Sequence, residues 1–423
     1  MRTLRQGMRG TDVMEIQALL RKLGYNVGAI DGVFGQQTYN AVVQFQRRFG
    51  LVPDGIIGPD TYRVMERYLL GYDNYTIRLR DTVYNIARRY GVNPAFILAA
   101  NPALDPNNLQ IGQQIIVPYN IDVVDTNIDY TYEIMERDIN GLKARYPFIE
   151  TGVAGRSVLG RNLYYLRLGT GPNQVFYNGA HHSLEWITSP LLMKFAEDFL
   201  KAYVLGTPLN GYNVRDIWNG SSIYIVPMVN PDGISLVLDG LKPDNPYYEQ
   251  LLEWNNFSTD FSTNWQANNR GVDLNHNYNA AWDQSKAAET MYGITGPGPT
   301  RYSGPYPESE PEVRAMVEFT RNHDFRLVLA YHSQGEVIYW NFMGLEPPES
   351  ITIGQALANA SGYTLDETTG IASYAGYKDW FIQDFGRPGY TVEVGRGTNP
   401  LPIEQFDRIY AANLPLLLLA SVI

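Results

Sequence analysis

With 423 residues, 44% of them hydrophobic and 18% charged, the chain is long enough for two or three folded domains and too apolar to be disordered. A net charge of −11 argues against a duplex-binding protein, which needs a basic stripe, and it leaves sugars and peptides as ligands. The absence of cysteine excludes disulfides and thiolate metal sites, and no apolar run is long enough to span a membrane.

The N-terminal stretch MRTLRQGMRGTD has no apolar core region and so is not a signal peptide. The expectation is a chain that works where it is made, in the cytoplasm or a sporulation compartment, that leaves by another route, or that has lost a leader. The first predicted helix carries Val13, Ile16, Leu20 and Leu23, with Asp12 and Glu15 at capping-box spacing. An internal echo follows: DGVFGQQT (31–38) and DGIIGPDT (54–61) share D-G-x-x-G-x-x-T. Each is an Asp-Gly turn leading into a helical pattern, carried by Val42, Phe45 and Phe49 after the first copy and by Tyr62, Met65 and Leu69 after the second. Together these predict a small three-helix unit.

Residues 75–118 read as strand, helix, helix, strand. YTIRL opens the segment and QQIIVP closes it. Asp81 is the expected cap of a helix carrying Val83, Ile86, Ala87 and Tyr90, and Asn93-Pro94 is an N-cap followed by proline at the first helical position. The first segment resembles a helical peptidoglycan-binding domain through GAIDGVFGQQTYNAVVQFQRRFGLVPDGIIGPDT. The second resembles a LysM module along its length. LysM modules bind glycans that contain N-acetylglucosamine, so the resemblance implies contact with peptidoglycan or chitin.

A polar connector, NIDVVDTNIDY, precedes a helix at 131–146 that buries Tyr132, Met135, Ile139 and Leu142. Beyond it, the apolar runs VFYNG, SIYIVPMVN, FRLVLAYHS and GYTVEVG alternate with helical stretches, among them SPLLMKFAEDFLKAYV, SEPEVRAMVEFTRNH and the final LPLLLLASVI. Short apolar strands separated by helices predict an α/β domain with a largely parallel or mixed sheet. In such sheets ligands sit at the carboxyl ends of the strands. That is where GAHHSLEW, AYHSQG and TVEVG fall.

Without cysteine, a transition-metal site has to use His, Asp and Glu. The chain has five histidines. His182 and Glu185 have H-x-x-E spacing and can face one ion from a tight turn, as part of a three-ligand catalytic zinc site. His181 either points away or donates to a ligand from behind. A third ligand must come from elsewhere. His332 ends a strand, His276 lies in RGVDLNHNY, and His323 is expected on the surface at a helix end.

GAHHSLEW, NNRGVDLNHNY, YHSQG and TVEVG occur in the order and spacing of the M14 zinc carboxypeptidases. Residues 130–423 resemble that family, and within it the branch of γ-D-glutamyl-diaminopimelate peptidases whose wall-binding modules precede the peptidase. The fold class expected is therefore multidomain: residues 1–72 as a three-helix domain, 73–120 as a βααβ LysM module, and 121–423 as an α/β zinc carboxypeptidase-like domain with a central mixed sheet. The resemblance implies one zinc ion held by His182, Glu185 and His332. It implies Glu393 as general base and Arg270 as the residue that polarises the scissile carbonyl.

Two features concern specificity. The family carries Asn-Arg where this chain has Asn275-His276, and imidazole cannot copy the bidentate clamp of arginine on a terminal carboxylate. In SYAGYKDWF, Lys378 takes the position at the base of the family's specificity pocket, where a lysine attracts a negatively charged or zwitterionic side chain. Tyr374 and Tyr377 fall in the segment of a mobile active-site tyrosine, with Ile371 at the strict alignment position; Tyr374 is the candidate. Arg396 is a further cation within reach. The function implied is hydrolysis of peptidoglycan stem peptides at the γ-D-glutamyl–meso-diaminopimelate bond, with glycan strands and stem peptides as partners, no nucleic acid, and cell-wall or spore association. The alternatives are a carboxypeptidase releasing C-terminal residues and a non-catalytic wall-binding protein.

Overall fold

The structure is a computed structural model that describes residues 2–423, apart from the side chain of Ile371. Its contacts divide into two compact units, residues 1–149 with 197–207, and residues 150–196 with 208–423.

In the first unit, helices α1 (Thr11–Lys22), α2 (Gln36–Arg48) and α3 (Pro59–Leu70) enclose a core that includes Val13, Ile16, Leu20, Val42, Phe45 and Met65. The echo in the sequence is an echo in structure. The buried Gln17 amide donates to Asp31 (3.0 Å) and Thr38 (3.1 Å), and its oxygen accepts from the Gly32 N–H (2.9 Å). Gln46 repeats the pattern on Asp54 (2.9 Å), Thr61 (3.1 Å) and the Gly55 N–H (2.8 Å). Each clamp needs its turn glycine in the left-handed region, at φ 67° for Gly32 and 72° for Gly55. The capping box at Asp12 and Glu15 does not form. Gly10 is the N-cap, Asp12 pairs with Arg2, and buried Glu15 pairs with Arg137.

β1 (Tyr72–Thr76) pairs antiparallel with β2 (Gln114–Pro118), enclosing α4 (Val83–Tyr90) and α5 (Pro94–Ala100). Strand β1 starts three residues before the predicted YTIRL because Gly71, at φ 77°, ends α3 and Tyr72 pairs at once with Pro118. Thr82, not Asp81, caps α4; Asp81 instead accepts from Tyr75 and pairs with Arg89. Asn93 caps α5 as expected.

Helix α6 (Tyr132–Arg145) clusters with this unit and carries Asp138, which is fully buried and accepts from Tyr130 Oη at 2.8 Å. Burial pushes the Asp138 carboxyl up to about 8, against the pull of Arg137. A carboxyl raised on folding favours the protonated folded state. Its contribution is complete below the unfolded value near 4 and is lost as pH rises through about 8. Asp138→Asn keeps the acceptor for Tyr130 and removes the charge. The gain in melting temperature over the parent chain should be near zero at pH 4.5 and grow steadily to pH 8.5, as read by calorimetry.

The second unit is built on an eight-stranded mixed sheet in the order β3-β4-β6-β5-β7-β10-β8-β9. Its strands are β3 (Glu150–Arg156), β4 (Asn162–Leu168), β5 (Asn173–Gly179), β6 (Ser221–Val226), β7 (Phe325–His332), β8 (Val337–Tyr339), β9 (Thr364–Asp366) and β10 (Gly389–Glu393). The four predicted strands form the parallel centre, β6-β5-β7-β10, and are almost wholly buried, as continuous apolar runs require. Helix α7 (Thr188–Leu205) and the helices Pro311–Arg321 and Phe406–Ala420 match the predicted stretches. His323 departs from its expected surface position. It is half-buried, parallel to Phe325 at 5.0 Å and edge-on to Tyr224 at 4.6 Å. Among the described residues, no helix is long and apolar enough to cross a membrane.

Candidate active site

Adjacent parallel strands deliver the chemistry. β5 leads into GAHHSLEW, β7 ends on His332, β10 ends on Glu393, and the β7–β10 register sets Glu393 directly beside His332. After β5 the backbone turns sharply at Ala180 (φ 58°) and enters a single 3₁₀ turn, Ser183–Glu185. Ser183 Oγ donates to the Trp265 carbonyl (2.7 Å), and Asn230 donates to the His181 carbonyl (3.1 Å). These bonds tie the turn to the loop at Trp265 and to Asn230, which follows β6.

The turn presents His182 and Glu185 together. His182 Nδ1 lies 2.9 Å from Glu185 Oε1, and His332 Nδ1 lies 2.8 Å from Glu185 Oε2. One donor atom from each of the three lies within 4.8 Å of the others, an arrangement that can hold a metal ion. The chemistry of the set fits zinc, which in catalytic sites takes three N/O ligands and leaves one position open. The other nitrogen of His182 is also committed, with Nε2 3.0 Å from Asp273 Oδ1, which leaves Nδ1 facing the cluster.

Burial alone would raise the Glu185 carboxyl, but the two imidazoles outweigh it and hold it at about 2. Burial likewise opposes ionisation of Asp273, yet His182, His276 and the Arg301 N–H hold it well below the usual carboxylate range. Burial works against a charged His182, but Glu185 and Asp273 on its two sides raise it well above the usual imidazole value. Glu393 behaves oppositely. Burial and then the negative charge of Glu185 push its carboxyl up, with only partial relief from His182.

His181 does not share the cluster. It is fully buried, 2.9 Å from Tyr278 Oη and stacked behind His332 at 5.5 Å, and burial keeps it neutral. His276 is buried, its Nδ1 3.4 Å from Ser285 Oγ, and burial lowers its basicity against the pull of Asp273. Asn275 accepts from the Tyr377 N–H at 3.0 Å. Tyr377 itself is a core side chain against Phe176 and Tyr278, hydrogen-bonded to Thr320, and this removes it as a mobile tyrosine. Tyr374 is half-buried in extended backbone beyond the turn Gly370–Ser373. Lys378 is buried, its ammonium 2.6 Å from both the Asn341 carbonyl and Asp379. Arg270 donates to Tyr247 (3.2 Å) and faces Glu310 at 3.8 Å, and Arg396 pairs with Glu336.

Two residues escaped the sequence reading. Asp273 stands in plain view within GVDLN, but spacing alone gives no reason to aim it at His182. Asn399 donates to Glu185 Oε1 (3.4 Å) and to the Ser333 carbonyl (2.6 Å) from a loop that carries no motif. Asp273→Asn should weaken metal affinity about 10- to 100-fold, as measured by chelator competition, while turnover per bound ion changes less.

The profile of the zinc carboxypeptidase family M14 matches residues 135–415. The chain belongs to that family. Profiles of a peptidoglycan binding domain and of LysM match residues 9–65 and 75–118. Over 290 residues the chain is 43% identical to gamma-D-glutamyl-L-diamino acid endopeptidase 1 of Lysinibacillus sphaericus, covering 69% of this chain and 72% of that protein. It is 33% identical over 325 residues to the YqgT protein of Bacillus subtilis (strain 168), covering 75% and 85%. A crystal structure of carboxypeptidase A from Helicoverpa armigera shares the fold at a TM-score of 0.53 and 19% identity, covering 92% of this chain and 95% of that one. This chain is accordingly a metallopeptidase whose catalytic fold is preceded by wall-binding modules.

Proposed function

We propose that this metallopeptidase hydrolyses the γ-D-glutamyl–meso-diaminopimelate bond of peptidoglycan stem peptides, using one zinc ion held by His182, Glu185 and His332. The observation that carries the reading is the convergence of these three side chains at the ends of adjacent strands. The activity for which the Lysinibacillus sphaericus relative is named supports the choice of bond. In this reading the chain comprises three domains, residues 1–72, 73–120 and 121–423, with the first two associating the enzyme with cell-wall glycan.

A zinc ion in this set supplies Lewis-acid chemistry, polarising a carbonyl and acidifying water. Glu393 takes the proton from the attacking water and returns it to the leaving diaminopimelate nitrogen. Its raised proton affinity suits a group that must hold a proton between the two steps. Arg270 steadies the charge that develops on the carbonyl oxygen. That role requires its side chain, 42% exposed, to turn from Tyr247 and Glu310 when substrate enters.

Asn275, His276, Tyr374 and Lys378 form the substrate pocket. His276 is buried and neutral, and it offers no bidentate clamp for a C-terminal carboxylate, which disfavours a general carboxypeptidase. Lys378 is partly neutralised by Asp379, so its proposed contact with the distal carboxylate of diaminopimelate shares the ammonium with that pair. Mass spectrometry of L-Ala-γ-D-Glu-meso-Dap after incubation tests the assignment. Release of L-Ala-D-Glu and free diaminopimelate is expected, and release of only a C-terminal residue from longer stems would overturn it.

A further inference from the structure

In the N-terminal unit a single residue, Gly71, separates α3 from β1, and the Tyr119 N–H donates to its carbonyl at 2.8 Å. A side chain at Gly71 would meet Val123 at 2.3 Å. The three-helix and LysM modules are therefore joined at a fixed seam. Along it lies a hollow of about 520 Å³, lined by Phe49, Tyr68, Tyr90, Tyr119, Arg48 and Asp73 among others.

The wall is aromatic: Phe49 and Tyr68 pack on the three-helix core with their outer edges in the hollow, and Tyr90 and Tyr119 complete it. Tyr68 and Tyr119 stack at 4.4 Å and 17°, Phe49 lies 5.7 Å from Tyr68, Tyr90 lies 5.9 Å from Tyr119, and all four rings are half-buried. Asp73 is fixed by Tyr90 Oη (2.8 Å) and Arg67 (3.2 Å). In a chain of net charge −11, this hollow is lined by Arg48, Arg67 and Arg89 against one carboxylate. Arg67 is engaged by Asp73 and Arg89 by Asp81, whereas exposed Arg48 has no carboxylate partner among the described residues. A second hollow, of about 940 Å³, shares Arg67 and Asp73 with the first, so the surface continues along α3.

Half-buried rings with hydroxyls at one end suit the C–H face of a sugar, because the negative ring face attracts polarised C–H groups. A fixed carboxylate accepts from sugar hydroxyls and acetamido N–H groups, and Arg48, which lies over the Phe49 ring at 5.7 Å and has no carboxylate partner among the described residues, selects an acid. We propose that the seam binds an N-acetylated glycan bearing carboxylates, with sugar rings on the Tyr68–Tyr119 wall and an acid group on Arg48. The site belongs to neither module alone, and it rests on the reading of this chain as a peptidoglycan-directed enzyme.

The test is calorimetric titration of the full chain with two tetrasaccharides. One alternates N-acetylglucosamine with N-acetylmuramic acid, its carboxylates unsubstituted; the other is uncharged tetra-N-acetylglucosamine. The parent chain should prefer the first. Arg48→Glu should weaken the acidic probe by about tenfold and leave the neutral one within about twofold. Tyr68→Leu should weaken both. Equal binding of the two probes by the parent chain, or an unchanged acidic affinity in Arg48→Glu, overturns the proposal. Because Arg48 is exposed, its variant folds irrespective of the outcome for Tyr68. Cleavage of the soluble tripeptide should be the same in Arg48→Glu and the parent; absence of cleavage in both would remove the peptidase assignment and leave the binding result standing.

Discussion

Glu393→Gln should retain the metal ion and lose about 10³-fold in kcat on the stem tripeptide, with KM changed only a few-fold. Glu393 is the last residue of β10, paired in register with His332 of β7 and Val337 of β8, so its backbone position is fixed by two neighbours. The amide keeps size and hydrogen-bonding reach and gives up only proton transfer. Metal retention therefore separates loss of a base from collapse of the site. A strand-end carboxylate serving only as an ion-pair partner would behave differently. No cation pairs with Glu393 among the described residues, and burial together with Glu185 disfavours its charge. Mutating a purely structural group in that setting would stabilise the chain and leave turnover intact. Metal analysis with steady-state kinetics makes the distinction, and activity within tenfold of the parent at full metal content would end the case for Glu393.

The parallel centre of the sheet was legible because its strands are buried on both faces and read as unbroken apolar runs. β3 and β4 were not legible. In β3, Glu150, Val153 and Arg156 are exposed and Gly152 and Gly155 interrupt the pattern, so no apolar alternation survives. Strands β8 and β9 are three residues each and exist only through pairing with β10 and with each other. The same division runs through the site. His182 and Glu185 stand out by their spacing in a chain without cysteine, whereas only the resemblance to the M14 family singles out His332 as the third of the set. Asp273 and Asn399 act through tertiary contacts, on His182 and Glu185 respectively, that local sequence does not encode. Caps failed for a similar reason. Asp12 and Asp81 have the right chemistry and position, but arginine partners from outside the turn compete for them.

His332→Ala should abolish stoichiometric zinc and reduce hydrolysis by about 10³-fold or more. It removes one of the two imidazoles that neutralise Glu185, and it leaves a two-ligand set on a single turn. Without metal, Glu185 and Asp273 on either side keep His182 protonated. Metal must displace that proton, so affinity in the parent chain should fall as the medium is acidified. A ligand that binds only the folded state adds stability as RT ln(1 + [L]/Kd), about 4 kcal/mol at a thousandfold excess over Kd. The parent chain should accordingly melt at a higher temperature with zinc than with a chelator. In His332→Ala the two melts should coincide. His332→Gln, which fills more of the buried space, guards against a variant that merely unfolds. If either folded variant still shows a zinc-dependent melt and one ion per chain, His332 is not a ligand, and the third donor has to be sought elsewhere around Glu185.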